Sequence, residues 1–390
     1  MDPDCIAETV YTCYKNNLDK NLKPCIRSNG IKEWTVLAGI VAYDSASDAY
    51  IPVSIATGVK ATANSQLQRS NGRILHDCHA EILALRGFNT VLLMQINNKN
   101  GYLLEPTEQV EPGAKLYRKF RIKDTLKFAL YISQLPCGDC SMEEEGKEEE
   151  EGANTETIDI IRDFTDDNVL QYVNADIKTI LRGRFNYKKK NVVRTKPGRA
   201  DSKITYSKSC SDKLCLKQVL SICNALTYFY LESPVYLDSI IVPNLTPRNV
   251  QELKRSFRRL SSIDTFHPID FQSTTKCFIN RKMKSDEEAS LMCSCVLNID
   301  NNQCFIQDGI LNGVRNGYYT RGKRPLRKNC ESILSRYHQW QKLFNDHETK
   351  ETYKSYLSFK LSLNKRCVLR NEARNILSSD GWIETFMDDC

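Results

Sequence analysis

The sequence predicts an α/β fold in which helices flank a mixed β-sheet, with extra helical elements towards the C-terminus. Three observations carry that expectation. Residues 35–43 and 50–58 are apolar, β-branched runs separated by the turn-rich Asp44-Ser45-Ala46-Ser47-Asp48, which is a hairpin signature. Residues 127–135 form a third apolar run that leads straight into Pro136 and Cys137. Between these runs the period changes: Ile82, Leu83, Leu85, Phe88, Leu92 and Ile96 recur at helical spacing, which predicts a helix from His79 with His79 and Glu81 in its first turn. Further on, residues 214–231 read as another helix and 239–242 as a short strand. Strands alternating with helices belong to a layered α/β architecture.

At 390 residues and 41 % hydrophobic, the chain is long enough to bury a substantial core. No repeat and no composition break divides it, so residues 1–390 are expected to form one domain. Residues 143–157 open with seven glutamates around one lysine and predict a flexible acidic insertion. No run of eighteen apolar residues occurs, and the N-terminus lacks a charged segment followed by an apolar one. The expectation is an intracellular protein, cytoplasmic or nuclear, without a membrane partner and with no obligatory protein partner. Sixteen scattered cysteines under those conditions read as reduced thiols.

The net charge of +7 is unevenly spread. Residues 178–217 carry thirteen basic side chains against Asp201 and Asp212, a band suited to a polyanion. Its densest part, Lys188, Lys189, Lys190, Arg194, Lys196 and Arg199, is the leading candidate for nucleic-acid contact, because phosphate contacts from Lys and Arg supply much of such affinity. The pairs Lys254-Arg255 and Arg258-Arg259, and the stretch 321–328, are weaker candidates.

Three short segments carry chemistry: Cys78-His79-Ala80-Glu81, Pro136-Cys137-Gly138-Asp139-Cys140 and Ser209-Cys210-Ser211-Asp212-Lys213. Together they supply an imidazole, several thiols and a carboxylate. Catalytic zinc takes about three such protein ligands and keeps one position for water, and an unligated carboxylate must then move protons. Glu81, two residues from His79, suits that task. On chemistry alone two ligand sets stay open: His79 with Cys137 and Cys140, or His79 with Cys137 and Cys210.

These segments, with Val36-Leu37-Ala38-Gly39 and Thr57-Gly58-Val59-Lys60, resemble the motifs of the adenosine deaminases acting on RNA, in order from about residue 36 onwards. The resemblance implies a cytidine-deaminase-like core and zinc on His79, Cys137 and Cys210, since the family's third ligand is the cysteine of Ser-Cys-Ser-Asp-Lys. It also implies Glu81 as the proton carrier and hydrolytic conversion of adenosine to inosine, with water added at C6 and ammonia released. Only about 35 residues precede the first strand, too few for a double-stranded RNA-binding module. This points to the tRNA-specific branch, whose simplest members modify the adenosine 3′ of the anticodon of alanine tRNA. Double-stranded RNA editing, an inactive zinc-containing RNA-binding scaffold, and a small-nucleoside or cytidine deaminase are the alternatives.

Lys60 matches a family position near the bound nucleotide, though Val59 replaces a threonine beside it. Family members also enclose inositol hexakisphosphate, and the matching positions here are Arg86, Lys213, Tyr356, Lys360 and Trp382. The match is incomplete: Leu85, Leu216 and Lys217 stand where other residues are expected, and a lysine after Trp382 is absent. Lys217, or a basic residue within 364–374, is the expected substitute.

Overall fold

The computed structural model describes residues 1–98, 101–107, 120–142, 171–199, 202–300, 304–322, 324–385 and 388–390. The acidic insertion expected at 143–157 lies outside the described residues. An N-terminal helix, α1 (Pro3–Asn17), is followed by the expected hairpin of β1 (Leu37–Asp44) and β2 (Ala49–Thr57). Its turn is stabilised locally: the Asp44 carboxylate accepts from the Ala46 amide at 3.0 Å, and Asp48 takes a positive φ of 51°.

Two short strands, β3 (Val59–Ala61) and β4 (Asp77–His79), pair antiparallel and lead into the long helix α2 (Ala80–Asn98). His79 therefore ends a strand instead of opening the helix, because Val59 pairs with it across the ladder. Glu81 does lie in the first turn of the helix. The apolar stripe expected along α2 is broader than the sequence implied. Ala84, Gly87, Asn89 and Gln95 are buried with the rest, as befits a helix covered on most sides.

The run at 127–135 becomes β5 (Leu126–Ile132). A small parallel pair follows, β6 (Ile180–Arg182) and β7 (Val193–Thr195). The helix expected over 214–231 is two helices, α3 (Cys210–Leu220) and α4 (Ala225–Tyr230). Ser221 breaks it with a φ of 69°, and the Ser221 hydroxyl accepts from the amides of Cys223 and Val235 at 3.1 and 3.0 Å. Then come β8 (Ser239–Pro243), α5 (Pro247–Phe257), β9 (Asp270–Thr274), β10 (Met292–Asn298), β11 (Phe305–Leu311) and β12 (Val314–Arg315). The C-terminal helices expected from the sequence include α6 (Tyr356–Ser362) and α7 (Asn364–Leu377).

The central sheet has eight strands in the order β9-β8-β5-β1-β2-β10-β11-β12. Strands β9, β8 and β5 run parallel and the remaining neighbours antiparallel, so the sheet is mixed as expected. One face packs on α2 around Leu83, Phe88 and Leu92. The other packs on α1 around Ile6, Val10 and Tyr14, where the Tyr11 and Tyr131 hydroxyls meet at 2.5 Å. No helix among the described residues is long and apolar enough to cross a membrane.

Gly87 sets the distance between α2 and the sheet. A Cβ there would lie 1.9 Å from the Ser54 hydroxyl and 2.6 Å from a Leu297 methyl. Gly to Ala inside a helix ordinarily stabilises by up to about 1 kcal/mol. Gly87→Ala should instead destabilise by about 1–3 kcal/mol through overpacking, read as a lower urea midpoint at unchanged slope.

Candidate metal centre and adjoining cationic cavity

Strand β4 delivers His79, the loop after β5 delivers Cys137, and the first residue of α3 is Cys210. The ligand atoms of these three side chains lie within 4.8 Å of one another, and they are the one such group among the described residues. Nδ1 of His79 stands 3.7 Å from the Cys137 sulfur and 3.6 Å from the Cys210 sulfur. Cys140 lies outside this group, and its thiol donates to the Pro136 carbonyl at 3.1 Å. One imidazole nitrogen and two sulfurs are the donors of a catalytic zinc site.

The two cysteine loops are interlocked. Gly138 adopts a φ of 109°, and a Cβ there would fall 2.1 Å from the Ser209 hydroxyl. The Cys137 carbonyl accepts from the amide and hydroxyl of Ser211 at 3.0 and 3.1 Å, and Ser209 caps α3 through the Asp212 amide. Hydrogen bonding from Cys210, together with Lys196 and His79, draws the Cys137 thiol well below its ordinary pKa, while burial pushes Cys210 up.

Beneath the metal centre runs a line of buried charge. Lys196 donates to the Cys210 sulfur at 2.8 Å and to both oxygens of Asp77 at 2.8 and 2.7 Å. Asp77 also receives Lys213. Burial would raise the Asp77 carboxyl, but the two lysines hold it well below the usual carboxylate range. Burial would likewise discharge Lys196, yet Asp77 and the cysteine sulfurs keep its pKa well above the ordinary lysine value. Lys196 therefore faces the metal centre and not solvent, so it offers no surface contact to RNA.

Arg194 also departs from its expected place. It is 1 % exposed, and its guanidinium donates to the carbonyls of Gly183, Phe185, Asn186 and Lys189 at 2.8–3.1 Å. Four backbone acceptors in one loop make Arg194 the organiser of that loop. Arg259 turns inward as well and pairs with Asp212, and the half-buried Arg255 pairs with Asp139, each at 2.7 Å. Lys188, Lys189, Lys190 and Arg199 remain exposed, Lys190 pairing with Glu252 at 3.0 Å. Lys60 is half-buried and reaches the Ala289 carbonyl at 3.4 Å.

On the far side of Asp77 lies a cavity of about 390 Å³. Arg86, Lys213, Tyr356, Lys360 and Trp382 all line it. So does Lys217, and α7 contributes Arg366, Arg370 and Arg374, spaced four residues apart on one helical face. Two further members were not expected there: Lys208, which belongs to the basic band of 178–217, and Arg336, which stands apart in sequence; both reach the cavity through the tertiary fold. Nine basic side chains thus face two carboxylates, Asp77 and Glu384. Burial, reinforced by neighbouring cations, lowers Lys217 and Lys360 to about 7. Nε of Arg370 and Nε of Arg374 are buried without partners. These features describe a cradle for a compact polyanion.

Comparison with known proteins follows the same line. The adenosine-deaminase (editase) domain matches residues 54–380. The chain is 45 % identical over 392 residues to tRNA-specific adenosine deaminase 1 of Saccharomyces cerevisiae, covering 99 % of this chain and 94 % of that one. It is 32 % identical over 390 residues to the protein of that name from Schizosaccharomyces pombe, covering 94 % and 91 %. The double-stranded RNA-specific adenosine deaminase of Mus musculus is 29 % identical over 243 residues, 61 % of this chain and 19 % of that one.

Asp77→Asn removes the one carboxylate shared by Lys196 and Lys213. Leaving a buried charge without its partner should cost about 3–5 kcal/mol. We expect a lower thermal midpoint and substoichiometric zinc by elemental analysis.

Proposed function

The chain belongs to the adenosine-deaminase (editase) family, and from that premise we propose that it converts adenosine to inosine in tRNA, at the position 3′ of the anticodon of alanine tRNA. The observation that carries this reading is the trio His79, Cys137 and Cys210, with Glu81 two residues after His79, in the first turn of α2 and outside the ligand set. The tRNA target is supported by the two yeast relatives, which match nearly the whole chain and are tRNA-specific by name. The likeness to the double-stranded RNA-specific enzyme covers less of the chain at lower identity. We take residues 1–390 as one editase domain acting inside the cell, in cytoplasm or nucleus.

When bound to His79, Cys137 and Cys210, zinc supplies a water whose proton is released near neutrality. The residues of the chain do the rest. Glu81, buried at the start of α2, accepts a proton from the attacking water. It delivers protons to adenine N1 and then to the amine leaving C6, so that ammonia departs and inosine remains. Lys196 offsets negative charge on the sulfur of Cys210, and the Cys210 amide at the start of α3 donates to the sulfur of Cys137. Lys60, beside the strand that carries His79, is positioned to hold a substrate phosphate. Lys188, Lys189, Lys190 and Arg199 offer a basic surface to the RNA backbone.

For the second cavity we propose inositol hexakisphosphate as the resident anion. Six phosphates would meet the surplus of cations and give the unpartnered Arg370 and Arg374 nitrogens acceptors. Glu384, the acid beside Arg374, remains as an internal partner of that arginine.

Glu81→Ala should lower conversion of an alanine tRNA by at least about a hundredfold while zinc stays stoichiometric. Zinc loss in that variant would contradict the role of Glu81 as a non-ligand. The anion assignment has a thermodynamic signature. Lys217 and Lys360 fall from 10.5 to about 7 without an anion, so between those values the unfolded chain binds more protons and stability rises with pH. Inositol hexakisphosphate keeps both lysines charged. Thermal midpoints of the stripped protein should therefore climb from pH 7 to pH 9, and added inositol hexakisphosphate should raise the midpoint at pH 7 and abolish the climb.

A further inference from the structure

Between Asp308 and Glu331 the chain has no carboxylate, yet residues 315–328 carry six basic side chains and the tyrosine pair Tyr318-Tyr319. Neither the metal centre nor the cationic cavity uses them. Arg321, Arg324, Arg327 and Lys328 are exposed. Arg321, Arg324 and Lys328 make no ion pair with the described residues, whereas Arg315 leans towards Asp308 at 3.7 Å and Arg327 donates to the Gly317 carbonyl at 3.0 Å.

The loop is nonetheless held in shape. Arg69 inserts beneath it, donating to the Thr320 hydroxyl at 3.0 Å, the Thr320 carbonyl at 2.8 Å and the Arg324 carbonyl at 2.6 Å. Its guanidinium also lies 5.5 Å from the centre of the Tyr319 ring. Val314 and Cys330, at the two ends, pack on Ile74, and Tyr318, Tyr319 and Leu326 close over that small core. A solvated basic loop does not need an internal arginine clamp. This one presents cations from a fixed frame, which limits the entropy lost when they meet a ligand.

Its root is next to the catalytic strands. The Leu75 amide donates to the Gly313 carbonyl at 2.8 Å, and a Cβ on Gly313 would lie 2.6 Å from the Leu75 carbonyl and 2.8 Å from the Thr62 hydroxyl. Leu75 is four residues before His79 on the segment that becomes β4. Four residues span at most about 13 Å even when extended, so the root lies close to the candidate metal ligand. Cations carried on such a root are near enough to the site to meet nucleotides flanking the reacting one.

We propose that the loop 315–328, through Arg321, Arg324 and Lys328, is a second docking surface for the tRNA, binding phosphates of its backbone away from the reacting nucleotide. The proposal rests on tRNA being the substrate. Phosphate contacts position a nucleic acid without reading its sequence and release counterions on binding. Arg69 is a positioning residue for this surface, acting through the loop it clamps.

The test compares the zinc-loaded full chain with the triple variant Arg321→Ala/Arg324→Ala/Lys328→Ala, using an alanine tRNA transcript and binding measured across a salt series. We expect affinity to fall about tenfold to a hundredfold at moderate salt and the slope of log affinity against log salt to shrink by about two to three, near one per lost phosphate contact. Conversion at saturating tRNA, zinc content and thermal midpoint should stay unchanged, since these side chains support no other part of the fold. Equal affinity and equal slope for parent and variant, with the parent converting tRNA, would overturn the role of the loop. Failure of the parent to bind or convert tRNA would instead strike the substrate reading. Arg69→Gln should show the same weakening with all three loop cations still present; unchanged binding in that variant would refute the positioning role.

Discussion

The buried carboxylate of Asp77 is the constraint on which the site depends. It sits two residues before His79 on the same short strand, so the backbone that places a metal ligand also places this charge. A carboxylate removed from water must be paired, and Asp77 has two lysines. One of them, Lys196, goes on to the sulfur of Cys210, and the other, Lys213, faces the cationic cavity. The metal centre and the cavity are thus two ends of one electrostatic unit. A change in charge at either end must be felt at the other through Asp77, because low-dielectric surroundings screen little of it.

The basic band illustrates how a charge pattern divides on folding. Arg194 and Lys196 are two residues apart, in sequence indistinguishable from the exposed lysines just before them. In the fold, β7 and the residue after it turn both inward: Arg194 binds four carbonyls and Lys196 binds Asp77. Asp139 and Asp212 complete the arrangement, since each follows a metal-site cysteine and each holds an arginine of the segment after α5 or at its end. The exposed lysines at 188–190 are carried by a loop fastened to both cysteine motifs. Any RNA bound there would be held in fixed register with the metal centre.

Local signals explain what was legible in the sequence. The hairpin, β5 and the three motif segments were readable because strand period, turn residues and ligand chemistry are properties of neighbours along the chain. The location of His79 at a strand end was not, because it follows from pairing with Val59, twenty residues away. The division of 214–231 was hidden for a similar reason: Ser221 is an ordinary helical residue until its hydroxyl is claimed by Val235. The choice between Cys140 and Cys210 needed resemblance; in the structure Cys210 clusters with His79 and Cys137, while the Cys140 thiol turns to the Pro136 carbonyl. In the cavity, the four-residue spacing of Arg366, Arg370 and Arg374 was visible all along. What sequence could not say is that this polar face of α7 points inward.

That inward polar face poses an energetic problem which the apolar residues of the same helices offset. Phe359 of α6 packs on Trp340 and Phe344, at ring distances of 5.4 and 5.3 Å, while Ala373 and Leu377 of α7 pack on the α3 side of the core. Burying one such large side chain contributes about 1.5–3 kcal/mol. Two like charges 4 Å apart oppose one another by about 4 kcal/mol even at the effective dielectric of a protein surface. A few such pairs among nine cations would cancel the packing of both helices. Some of the lysines must therefore give up their protons, or an anion must occupy the cavity. Discharged lysines would leave buried nitrogens short of hydrogen-bond partners, whereas a polyanion would satisfy them and let the apolar face pack. The C-terminal helices are accordingly subject to two terms of opposite demand, and an anion bound as proposed above would allow both to be met in one structure.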